Sequence, residues 1–125
     1  MVSAYAALSR GQTRQALIDG SAALDITTAQ LTISLLERGG MSTDEAEAKV
    51  EGLATKQLVL RLLSAKLGAP LTESTQWSAW DTKVRQLRNA AVHTGTAPPL
   101  RATADALRSI ANLIDLLQKL CAGVA

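Results

Sequence analysis

The sequence predicts an all-α fold, an up-and-down antiparallel helical bundle of four main helices, and three observations lead there. Apolar residues make up 47% of the 125-residue chain, yet Phe is absent and the only aromatics are Tyr5, Trp77 and Trp80. An Ala/Leu-rich composition of this kind favours helix over sheet, because strands enrich aromatic and β-branched side chains. Apolar positions recur at steps of three and four, the period of a helix face. Gly, Pro and capping residues cut the chain into segments with short connections, which suit antiparallel neighbours. The length fits a single domain, 1–125.

Each element has its own signals. Tyr5 to Ser9 suits a short preceding turn of helix. The first long helix is expected from Thr13 to about Arg38, through Ala16, Leu17, Ala23, Leu24, Leu31, Leu35 and Leu36, and Gly39-Gly40 ends it. Ser42-Thr43-Asp44-Glu45 reads as a capping box, in which the Ser42 hydroxyl accepts from the Glu45 N–H and the carboxylate reaches back. The second helix is expected to run on to about Leu67 through Val50, Leu53, Leu60 and Leu63, with a bend at Gly52, and to stop at Gly68 and Pro70. Ser74 or Thr75 caps the third, which extends to about Val92 with Trp77, Trp80, Val84, Leu87 and Ala91 as a narrow apolar seam. Pro98-Pro99 then separates it from the last helix, about Thr103 to Cys121, through Leu107, Ile110, Ile114 and Leu117.

Charge and cysteine usage narrow the function classes. A net charge of +2 permits an anionic partner without demanding one. The single cysteine, Cys121, excludes an internal disulfide and a cysteine-based metal cluster, and its place on the last helix suits a buried apolar role. No second histidine is present for a zinc site, no Gly-rich loop suits a nucleotide, and no cofactor is expected. Three aromatics do not build a single-strand stacking platform, and Trp77 and Trp80 read as core. Neither a signal peptide nor a membrane-spanning run is visible, so a soluble cytoplasmic protein is expected.

Chemistry concentrates on the third helix. Arg85, Arg88, Asn89, Val92 and His93 fall at i, i+3, i+4, i+7 and i+8, which places them on one strip beside the apolar seam. The strip reads as free of carboxylates. Its guanidinium groups match phosphate oxygens, and His93, the only histidine, is suited to moving protons near neutral pH. That combination points to an RNA or nucleotide phosphate. Arg85 fits backbone phosphate binding.

Leu87-Arg88-Asn89-Ala90-Ala91-Val92-His93-Thr94-Gly95 resembles the Arg-x(4–6)-His signature of HEPN domains, in which Asn often follows the Arg and Gly often trails the His. The motif stands where that family carries it, at the end of the helix before the last. Ala23-Leu24-Asp25 is similar to the Ala-Leu-Glu of the family's early helix. The resemblance implies a HEPN-like bundle that dimerises through the motif face. It further implies a metal-independent endoribonuclease of toxin–antitoxin, phage-defence or RNA-processing type.

In that reading His93 is general base or acid, Arg88 clamps the transition state, and Asn89 orients the phosphate or holds His93. Asp25 is placed to hold Arg88 or to activate the site. One chain has one imidazole, so a symmetric homodimer supplies the second. RNA is the expected partner, with a cognate antitoxin or fused regulatory domain as the source of specificity. One subgroup carries a modifiable Tyr two residues after the His, where this chain has Gly95. Two readings stay open beside the nuclease: a non-catalytic RNA- or nucleotide-binding or dimerisation module, and a plain helical adaptor.

Overall fold

A computed structural model describes residues 1–124 and is 82% helical, with no strand among the described residues. The chain is all-α, as the composition and periodicity predict. It forms α1 (Val2–Ser9), α2 (Thr13–Arg38), α3 (Thr43–Val50), α4 (55–67), α5 (Ala69–Thr72), α6 (75–94) and α7 (Leu100–Ala122). The expected first, third and last helices are α2, α6 and α7. α4 and α6 each contain a π-helical stretch, Val59–Leu63 and Trp80–Val84. No helix is long and apolar enough to cross a membrane.

The second expected helix is in fact two. Gly52 takes a left-handed φ of +74°, and the chain leaves helix after Val50. It re-enters at Thr55 with a complete new N-terminus. Ala54 N–H donates to Gln57 Oε1 at 3.1 Å, and Thr55 N–H donates to Asp25 Oδ1 at 3.0 Å. Gly52 therefore reverses the chain rather than bending it. α4 begins beside Asp25 and ends with Lys66 beside Gly39, so it runs parallel to α2. Arg14 at the start of α2 bonds Ala91 near the end of α6, so those two are antiparallel. Gly20 packs on Leu107 and Arg38 bonds Cys121, so α7 runs parallel to α2.

The caps hold with one change. Ser42 Oγ accepts from Glu45 N–H at 3.2 Å, but the Glu45 carboxylate takes the Ser42 hydroxyl, at 3.1 Å, instead of the backbone N–H. Ser74 Oγ caps α6 through Trp77 N–H at 3.0 Å. Gly68 ends α4 at a φ of +61°. Pro70 opens α5, where a missing N–H is tolerated.

The main core gathers around α2 and α7. Leu17, Leu24, Leu107, Ile110, Leu113 and Leu117 are fully buried, and Trp77 and Trp80 pack against the same core with ring centroids 5.3 Å apart. Cys121 is buried as expected, and burial raises its thiol pKa, partly opposed by the Arg38 charge. A second cluster of Leu36, Ala46, Val50 and Leu58 fills the corner under α3 and α4. Leu60, expected on the apolar stripe, is 54% exposed. It lies in the Val59–Leu63 π stretch, and the extra residue per turn shifts the stripe's register there.

Candidate functional site

α6 presents the predicted strip at a place where it meets α2 and α4. Arg85, Arg88 and Asn89 line a cleft together with Ser21, Leu24 and Asp25 of α2 and the 54–57 segment that opens α4. Trp80 also lines this cleft, whose volume is about 320 Å³. Both π stretches adjoin it: one starts at Trp80, and the other two residues after Gln57. Four of the five predicted site residues are thus brought together.

His93 is not among them. It lies one turn beyond Asn89 on the last turn of α6, exposed to solvent, and its side chain bonds no other described residue. Its chain neighbour Val92 is 37% exposed. Gly95 follows in a left-handed conformation with φ of +69° and stops α6 there. Arg14 Nε donates to the Ala91 carbonyl at 3.0 Å, which satisfies one of the free carbonyls at the helix end.

Charge on the strip differs from expectation. Asp81, one turn before Arg85, accepts from Arg85 Nε at 3.0 Å and from Lys56 Nζ at 2.9 Å. The strip therefore does contain a carboxylate at its N-terminal end. Burial pushes the Asp81 pKa up, but the hydrogen bonds and charges of Lys56, then of Arg85, outweigh it and hold the carboxyl below its usual range. The terminal nitrogens of Arg85 stay free among the described residues. Arg88 pairs with no carboxylate among them; it donates only to Asn89 Oδ1, at 3.4 Å.

Asp25 does not take the first of its two expected roles, holding Arg88. Its Oδ1 accepts both Thr55 N–H at 3.0 Å and Thr55 Oγ1–H at 2.6 Å, so it caps α4 from across the cleft instead of holding Arg88. Its Oδ2 accepts no hydrogen bond among the described residues, and Asp25 lines the cleft.

Sequence reasoning missed Ser21, Lys56, Gln57, Asp81 and Arg14. Of these only Asp81 left a local signal, its i,i+4 spacing to Arg85. Among the described residues no three His, Cys, Asp or Glu side chains converge as metal ligands do. Comparison with known proteins adds no relative: no family model, no curated protein and no solved structure matches the chain.

Proposed function

We propose that this chain is a metal-independent endoribonuclease domain, cleaving RNA by 2′-hydroxyl attack as a symmetric homodimer joined through the Arg88–His93 face. One observation carries this reading. Arg88, which pairs with no described carboxylate and donates only to neighbouring Asn89, and exposed His93 stand within two turns of one helix. Exposed Val92, next to His93 in the chain, supplies apolar surface for a second copy.

The chemistry uses two imidazoles. One His93 removes the 2′-hydroxyl proton, and the freed oxygen attacks phosphorus. The second copy's His93 protonates the departing 5′-oxygen. Arg88 faces the charge that builds on the equatorial oxygens. The products are a 2′,3′-cyclic phosphate and a 5′-hydroxyl. A toxin, phage-defence or RNA-processing role, with an antitoxin or fused regulatory domain as partner, belongs to the same proposal.

A non-catalytic RNA- or nucleotide-binding module is the second reading. The observation favouring it is that the cleft takes Arg85, Arg88 and Asn89 but leaves His93 outside. The two separate in one experiment, in which a mixed RNA pool is incubated in EDTA with wild type or His93→Ala at concentrations that favour dimers. The nuclease reading expects cyclic phosphate ends from the wild type and a loss of about 10²–10⁴-fold in the variant. Equal cleavage by both proteins, or none by either with RNA binding intact, would overturn it.

A further inference from the structure

We propose that the cleft between α2, α4 and α6 is a base pocket that takes a single guanine. This rests on reading the Arg85–Arg88–Asn89 strip as a surface that meets RNA, and not on whether the RNA is cut.

Size gives the first constraint. A cleft of about 320 Å³ is at the lower end of small-molecule sites, which span roughly 300–1,000 Å³. It suits one base with its sugar at the mouth and is too small for two stacked nucleotides. Leu24 and Trp80 supply apolar lining, and both are more than nine-tenths buried, so a flat ring entering the cleft meets a formed surface.

Charge gives the second. A plain phosphate site would be lined by donors alone, and this cleft also contains the Asp25 carboxylate. The phosphate is therefore directed to Arg88 and Asn89, and the interior is left to a neutral ring that carries donors for Asp25 Oδ2. Guanine is the base whose Watson–Crick edge has two adjacent donors, N1–H and the N2 amino group. Adenine N1, cytosine N3 and the uracil oxygens would turn lone pairs towards the same carboxylate. The other edge of guanine has the O6 and N7 acceptors, which a guanidinium fork satisfies. Arg85 has its terminal nitrogens available for that, because only its Nε is bonded to Asp81.

Placement gives the third. His93 lies one turn beyond Asn89 and outside the cleft. A nucleotide with its base in the cleft and its phosphate at Arg88 and Asn89 leads the chain on towards His93. The pocket thus selects the nucleotide beside the scissile phosphate.

Binding of 5′-GMP, AMP, CMP and UMP to the full chain is measured by calorimetry, for wild type, His93→Ala and Ser21→Leu. Asp25 is left unchanged because it caps α4, whereas Ser21 lines the cleft without a hydrogen bond among the described residues, so a leucine there fills it. Wild type and His93→Ala are expected to bind GMP at least about 10-fold tighter than the other three nucleotides, the discrimination one bidentate base contact supplies. Ser21→Leu is expected to melt like wild type and to lose that preference. Equal affinity for all four nucleotides, no binding of any, or GMP selectivity that survives Ser21→Leu would overturn the proposal. Guanine selectivity in a protein that cleaves no RNA would retain the pocket and reject only the nuclease.

Discussion

Gly20 and Ser21 are neighbours in sequence and belong to opposite regions of the molecule. Gly20 faces α7, where a Cβ would stand 2.6 Å from Leu107 Cδ2 and 3.3 Å from Ile110 Cδ1. Ser21 faces the cleft towards α4 and α6. On the first side a Cβ on α2 would require the buried Leu107 side chain to shift, and the contact is aliphatic. On the second side the helices stay apart. The gap is spanned by polar links: Asp25 to Thr55, Lys56 to Asp81, and Arg14 to Ala91. One helix thus anchors the fold with one face and frames the candidate site with the other. A close apolar seam leaves no room for a ligand, while a polar cleft gives up packing but keeps side-chain donors and acceptors available.

Substitutions on the two faces test that division. The largest stability effect is expected from Gly20→Val, which forces branched bulk against buried Leu107 and should cost about 1–3 kcal/mol in denaturant unfolding. Ser21→Leu, one residue on, should stay within about 0.5 kcal/mol of wild type. Comparable losses from both would erase the distinction between seam and cleft.

A smaller effect is expected from Arg14→Ala, which leaves the Ala91 carbonyl without its charged donor and should cost about 1–2 kcal/mol. Its signature is local. Amide exchange at 92–94 should accelerate before that of α7, and uniform acceleration would mean that Arg14 acts on the whole core instead.

The smallest effect belongs to Asp81→Asn, because Asp81, Lys56 and Arg85 have side chains 25%, 34% and 38% exposed and solvent screens the pair. A loss of about 0.5–1 kcal/mol at pH 7 is expected. The folded-state pKa of Asp81 is lowered, so its contribution is complete above the ordinary carboxylate pKa. That contribution fades as pH falls through the lowered value. Urea midpoints of wild type and variant should therefore converge in strong acid; a gap that persists there would assign the effect to something other than this carboxylate.

Much of the helical framework was readable from sequence, because its signals are local. The Ser42 and Ser74 caps, the Gly39 and Gly68 stops and the buried seam of Trp77, Trp80, Val84 and Ala91 all follow from residues within a turn or two of one another. The Gly52 reversal was not readable as such. A glycine inside a helical pattern is compatible with either a bend or a break, and here the break is secured by Asp25, 30 residues away. Leu60 was misplaced for a related reason: the periodic pattern assumes a uniform turn, and the π stretch in α4 does not keep it.

The candidate site divides along the same line. Arg85, Arg88 and Asn89 share a strip through helical spacing alone, and the structure keeps them together in one cleft. Helix geometry also set His93 one turn farther on, but only the crossing of α2, α4 and α6 decided that the cleft ends before it. Lys56 and Asp25 reach the site from other helices, over 25 and 30 residues of chain to the partners they bond. Composition and periodicity by themselves determined the all-α class, most helix limits and the Arg–His strip, since backbone hydrogen bonding and capping act within a few residues. Tertiary structure alone decided which groups face that strip, because contacts between helices depend on crossing and close approach, as at Gly20, and no single segment encodes those.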